Sequence, residues 1–366
     1  MRSEKSIRRI LFVTDAWKPQ VNGVVRTMGR METHLPKFGI EPVFLSPDGF
    51  RTFALPTYPG IRLALPPPGA VRSRIEAAKA DHIHIVTEGP LGILARRECL
   101  RAGVPFTTNY HTKFPEYLSS RMPVPESWTY SLLRRFHNSG EATLVATQSL
   151  GHELVARGFT KVRPWTRGVD TEAFHPKLRG DLGLPRPIFL YVGRVAVEKT
   201  LDDFLALDLP GSKVVVGVGP ALDALRARFP SAHFMGARSN GELSRIYASS
   251  DVFVFPSKTD TFGIVLLEAI ASGLTVAAYP VTGPADIFAD GIGGALSDNI
   301  GEAALKALEL DREAAREKAL SYSWDKCASM LIDRVREVYS SPLHQPALID
   351  RGRDEAGEQR VRLERT

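Results

Sequence analysis

The chain has 366 residues and two cysteines, Cys99 and Cys327. Two thiols without metal-ligand spacing cannot build a disulfide framework, so the expected setting is a reducing compartment. Long apolar runs are also missing. A spanning helix needs roughly 18 apolar residues, and the longest candidate, after Gly263, is interrupted by Glu268 and Gly273. The run Ile10 to Val13 is too short for the core of a signal peptide. The fingerprint Gly-x-Gly-x-x-Gly is absent, which argues against a dinucleotide site. Basic clusters interleaved with stacking aromatics are not evident, which argues against nucleic acid as a partner.

What is present fits a soluble globular protein: 43% of residues are hydrophobic and 24% charged. The length predicts two domains. Net charge is +6 but uneven. Residues 1–170 hold 24 Lys and Arg against 14 Asp and Glu, a balance of +10, whereas residues 171–366 hold 23 against 27, a balance of −4. A basic first half suits an anionic partner such as a phospholipid or a nucleotide.

The most informative stretch runs from Asp251 to Gly273, DVFVFPSKTDTFGIVLLEAIASG. Val252 to Phe255 form a continuous run of β-formers, the pattern of a parallel strand covered on both faces. Pro256 ends the run, a polar loop follows, and from Ile264 the chain reads as a helix with Gly273 at its C-cap. A strand feeding a helix leaves free N–H groups and a positive dipole end at the loop, a ready site for phosphate. Asp260 and Glu268 stand eight positions apart, slightly over two turns, so both carboxylates can lie on one side of the helix. On spacing alone, a capping Asp and an ordinary surface Glu fit as well.

The same unit recurs. Strand 9–14 leads through Asn22-Gly23 into a helix carrying Val25, Met28, Met31 and Leu35. Gly23 would let a ligand approach the backbone, although a tight turn explains a single glycine equally. Strands are predicted at 42–46, 61–65, 81–86, 105–114 and 143–147. Ligands of open α/β sheets bind beyond the carboxyl ends of strands, where His111 falls, although a structural role explains a lone His equally. The helix 126–139 aligns Trp128, Leu132 and Phe136 beside Arg134 and Arg135. Packing of this row against the domain core is expected, with a membrane-facing basic surface as the alternative. After a polar linker at 171–186, strand 188–192 ends in Gly193, followed by Arg194 and Lys199. A guanidinium fork and a point charge on one loop suit a diphosphate; the alternative is a solvated helix start with Glu198 and Lys199 exposed, and the second anion site at 260–264 favours the first. Strands at 213–218, 232–236 and 274–279 and a helix at 325–339 complete the pattern. Both halves read as β/α units, giving two doubly wound domains across a cleft.

Taken in order, PQVNGV at 19–24, TEGPLG at 87–92, HTKFPEY at 111–117, RGVDTEAFHP at 167–176, YVGRVAVEK at 191–199 and DTFGIVLLEAIASG at 260–273 resemble the retaining nucleotide-sugar glycosyltransferases of the GT-B fold, glycosyltransferase family four. The resemblance covers about residues 9–340. It is strongest to the bacterial branch of lipid α-mannosyltransferases, glycosyldiacylglycerol synthases and sulfoquinovosyldiacylglycerol synthases. It implies an α/β fold of two Rossmann-like domains, acceptor-side over 1–170 and nucleotide-sugar-binding over 171–323. A helix at 324–340 would cross back to the first domain. Residues 341–366, charged and with little periodicity, read as a disordered tail.

The resemblance also implies roles. Arg194 and Lys199 match the pair that neutralises the donor diphosphate, and Gly23 the glycine whose backbone approaches the donor phosphate. Glu268 matches the acid that binds the ribose hydroxyls. Asp260 stands where the family has a Glu that contacts the donor sugar, so the sugar is expected to be held differently or to differ. Thr261, Phe262, Gly263 and Ile264 would contact sugar and phosphate through their backbone, and His111 matches the active-site His. The catalytic set is thus His111, Arg194, Lys199 and Asp260. No Asp-x-Asp motif occurs, so no metal site and no cofactor are expected, the nucleotide-sugar being a substrate. The implied activity is retaining, metal-independent transfer of a hexosyl group from GDP-mannose or a UDP-hexose to a membrane lipid such as diacylglycerol. The alternative is a soluble sugar-to-sugar transferase in polysaccharide or glycoconjugate assembly. The expected location is cytoplasmic, peripheral to an anionic inner membrane face.

Overall fold

The computed structural model describes residues 6–20, 22–55, 58–111, 113–119 and 124–340. The tail expected to be disordered, 341–366, lies outside the described residues.

The first half contributes β1 (Arg9–Val13), β2 (Glu41–Leu45), β3 (Arg51–Leu55), β4 (Tyr58–Leu65), β5 (His82–Ile85), β6 (Phe106–Tyr110), β7 (Ala142–Val145) and β8 (Val162–Pro164). Six of these form a parallel sheet in the order β2-β1-β5-β6-β7-β8. The second half contributes β9 (Ile188–Val192), β10 (Ser212–Val216), β11 (His233–Gly236), β12 (Val252–Phe255), β13 (Thr275–Ala278) and β14 (Gly294–Leu296). They form a second parallel sheet in the order β11-β10-β9-β12-β13-β14. β9, β12 and β13 are buried along their whole length, as central parallel strands between two helix layers must be. Both sheets are Rossmann-like, so the expected two-domain α/β architecture is the one observed.

The last helix, Trp324–Ser340, carries a stripe of Trp324, Cys327, Ala328, Leu331, Ile332 and Val335. That i, i+3, i+4, i+7 spacing makes one apolar face. The face packs on Ile10, Phe12, Met28, Met31 and Trp165 of the first domain. Each fully buried Leu, Ile or Val contributes about 1.5–3 kcal/mol, so the crossover is fixed by core packing. The Trp165 indole N–H donates to the Cys327 carbonyl at 2.9 Å, and His34 and Lys37 both reach Asp325.

Two expectations need correction. The strand read at 61–65 is the end of β4, which pairs antiparallel with the unforeseen β3 outside the main sheet. The row Trp128–Leu132–Phe136 does not pack as a unit. In the helix Glu126–His137, Tyr130, Leu133 and Phe136 are buried, while Trp128 is 73% and Leu132 69% exposed. Eight residues at 3.6 per turn leave Phe136 about 80° around the helix from Trp128. The inward face therefore takes Phe136 and leaves Trp128 in solvent.

Candidate active site

A doubly wound sheet opens a crevice where its strand order reverses, beyond the carboxyl ends of the strands. In the first sheet the reversal lies between β1 and β5, and in the second between β9 and β12. The predicted residues follow these points. Gly23 lies after β1, His111 directly after β6, Arg194 and Lys199 after β9, and Asp260 to Glu268 after β12.

On the second domain, adjacent strands bring the two anion-seeking loops together. The Lys199 ammonium donates to both oxygens of Asp260 at 2.7 Å. Burial opposes ionisation of Asp260, but the Lys199 charge overcomes it and holds the carboxyl below its usual range. The Tyr191 hydroxyl donates to the Arg194 carbonyl at 2.9 Å and ties down that loop, while the Arg194 side chain is exposed. Thr261 and Phe262 lead to Gly263 at the N-cap of the helix Ile264–Ala271, which ends in a left-handed turn at Gly273, φ +78°. Glu268 lies within this helix, 3% exposed. Its carboxylate accepts from the Tyr247 hydroxyl at 3.3 Å and pairs with Arg26. Burial raises the Glu268 carboxyl, and Arg26 and Tyr247 offset that only in part. It is neither a helix cap nor a surface acid.

On the first domain, Gly23 opens the helix Gly23–His34, with the Asn22 side chain accepting from the Val25 N–H. A Cβ at Gly23 would meet no atom within 4 Å. Packing within the chain does not require glycine there, and the open side of the backbone is free for a ligand. His111 carries two features. Its carbonyl accepts from the Thr261 hydroxyl across the cleft at 2.6 Å. Its ring Nδ1 faces the Arg167 guanidinium at 3.4 Å.

Sequence reasoning missed the contacts that close the cleft. Arg26, one turn beyond Gly23, reaches Glu268 from the opposite domain. Lys113 bonds Glu153 at 2.7 Å and the Thr282 hydroxyl at 3.4 Å, while Ser149 donates twice to Asp286. A cation one turn into a helix that starts at a phosphate-type loop was the available signal for Arg26; the others had none. Among the described residues, no three Asp, Glu, His or Cys side chains gather as a metal cluster.

Two Rossmann-like domains meeting across a cleft, with cationic and acidic loops at the switch point of the second, define the GT-B architecture of glycosyltransferases. The chain belongs to glycosyltransferase family 4: residues 21–173 match that family's domain and residues 186–310 the glycosyl transferases group 1 domain. It is 32% identical over 305 residues to a GDP-mannose-dependent alpha-mannosyltransferase of Mycobacterium tuberculosis, across 76% of this chain and 81% of that protein. It is 34% identical to a sulfoquinovosyl transferase of Arabidopsis thaliana, across 75% of this chain but only 60% of that protein's length. An alpha-monoglucosyldiacylglycerol synthase of Streptococcus pneumoniae is 25% identical across 74% of this chain and 71% of its own. Among solved structures, Anabaena HepE in complex with UDP-glucose superposes with a TM-score of 0.68 at 15% identity, covering 90% of this chain and 99% of that one. Sucrose-phosphate synthase from Thermosynechococcus elongatus gives 0.73 at 17%, covering 91% and 99%. At these identities the structural likeness speaks to the fold alone. The protein is a glycosyltransferase that uses a nucleotide-sugar.

Proposed function

We propose that this enzyme transfers a hexosyl group, with retention and without a metal ion, from GDP-mannose or a UDP-hexose to a membrane lipid such as diacylglycerol. The observation that carries the reading is that the Arg194–Lys199 loop after β9 and the loop and helix after β12, carrying Asp260 and Glu268, follow adjacent strands, opposite Gly23 and His111. Arg194, Lys199 and the amides at Gly23 and Gly263 stabilise the leaving diphosphate, as preorganised donors do for developing charge. Glu268 accepts from the ribose hydroxyls, and Asp260 meets the sugar. The bond from the anomeric carbon to the phosphate oxygen breaks as the bond to the acceptor oxygen forms on the same face. The acceptor's proton passes to the departing phosphate oxygen, so no protein nucleophile is required.

The lipid acceptor is supported by what the relatives are named for, glycolipid synthesis among them, and by the exposed face Trp128, Leu132 and Arg135 on a domain of net charge +10. Such a basic, aromatic-tipped helix face suits an anionic membrane surface and supports a site of action at the inner face of the cell membrane. Among the described residues no helix is long and apolar enough to cross a membrane.

A donor screen with mass detection, using membrane lipid extract as acceptor, tests this. Arg194→Ala, Lys199→Ala and Glu268→Ala should each lower transfer by roughly 100-fold, the scale of one lost charge-stabilising group. Undiminished transfer by all three sinks the site. Glycosylation of soluble sugars alone sinks the lipid acceptor.

A further inference from the structure

Arg167 is 3% exposed, and among the described residues no carboxylate pairs with it. A buried guanidinium normally sits beside an acid, because an isolated charge is costly to desolvate. Here its donors go to the carbonyls of Trp165 and Thr166, at 2.6 and 3.0 Å, and to His111 Nδ1 at 3.4 Å. Its plane also lies 4.5 Å from the Trp165 ring centre. Burial lowers its pKa only to about 10, so the side chain stays cationic at neutral pH.

An arginine has no acceptor and can only donate. A neutral imidazole that takes this bond on Nδ1 must carry its proton on Nε2. The His111 Nε2 is buried and has no hydrogen-bond partner among the described residues. Burial opposes the imidazolium, and the Arg167 charge adds to that opposition. His84, held by Thr107, and His137, held by Thr108 and Glu88, are the other titratable groups facing it. Thr261, from the second domain, donates to the His111 carbonyl.

We propose that Arg167 is a positioning residue that holds His111 as the neutral imidazole protonated on Nε2, so that this N–H serves as a fixed donor to a substrate oxygen. His111 then orients a hydroxyl and does not act as a general base. The inference rests on the transferase reading only for what the N–H meets. The tautomer is a property of the unliganded protein.

Two-bond 1H–15N spectra of the full chain with labelled imidazoles test it, His111 being assigned by the signals lost in His111→Asn. In the wild type we expect the proton on Nε2 and no titration between about pH 5.5 and 8, the span in which an ordinary His changes charge. In Arg167→Met the Nε2–H preference should weaken or titration should enter that window. Arg167→Lys, which keeps the charge without the fork, should stay neutral but lose the fixed tautomer. A wild-type His111 protonated on Nδ1, or titrating in the window, overturns the proposal even if no variant folds. So does an Arg167→Met spectrum identical to wild type. Absence of transfer with every donor, alongside the expected wild-type spectrum, would instead overturn the proposed function.

Discussion

Glu268 and Asp260 are two acids of one site whose protonation is pulled in opposite directions. Burial leaves the Glu268 carboxyl above its ordinary value of 4.5, whereas Lys199 brings Asp260 below its ordinary 3.8. As pH falls, Glu268 is the first to take a proton and to lose the negative charge that would strengthen its proposed bonds to the ribose hydroxyls, while Asp260 is still ionised. Nucleoside diphosphate affinity should therefore weaken on the acid side, beginning above the range of an exposed glutamate. Calorimetric titration across pH checks this: Glu268→Gln should flatten the acid limb, and an unchanged limb in that variant assigns it elsewhere. The role proposed for Glu268 rests on its spacing from Asp260, which the sequence shows; its burial was not legible there. The residue that pairs with it, Arg26, lies 242 positions away, and no local pattern reports a partner that distant.

Elements were more legible than residues, for a physical reason. The strands β9 and β12 are runs of apolar and aromatic residues because both faces are covered, and such runs announce themselves. The hairpin β3–β4 does not, since it lies outside the main sheet and exposes Phe53 and Leu65. The helix Glu126–His137 shows the limit of aligning apolar residues by eye: its buried stripe runs through Tyr130, Leu133 and Phe136, and Trp128 with Leu132 is left outside. Because both are exposed, Trp128→Ala and Leu132→Ala should leave thermal stability nearly unchanged. Each should weaken binding to anionic vesicles, together by roughly tenfold or more if their side chains enter the interface. Sedimentation with phosphatidylglycerol vesicles reads this out, and equal binding by the double variant removes the helix from the membrane surface.

At the scale of the whole molecule, the two halves are held by the crossover helix and by side chains that meet across the cleft. The two-sheet architecture followed from repeated strand–loop–helix units. The closure did not, because it depends on pairs such as Arg26–Glu268, Thr261–His111 and Ser149–Asp286 that exist only once both sheets are placed. Arg26→Met tests the first of these. The Arg26 side chain is 34% exposed, so its loss should destabilise the fold by about 1–2 kcal/mol, less than the roughly 3–5 of a fully buried pair. The same change should tighten nucleoside diphosphate binding, since the ribose hydroxyls no longer displace a cation. Weaker or equal binding would show that Arg26 does not compete for this acid.

If Arg26 leaves when donor arrives, the dissociation constant of this enzyme is that of an exchange. Part of the nucleotide's grip replaces a contact the empty protein already makes. Salt then acts twice and with opposite sign: it loosens the resident guanidinium, easing entry, and it screens Arg194 and Lys199 against the diphosphate, easing departure. The occupied acid turns ionic strength into a tuning variable for donor affinity, where an empty cationic pocket would respond to it in one direction only.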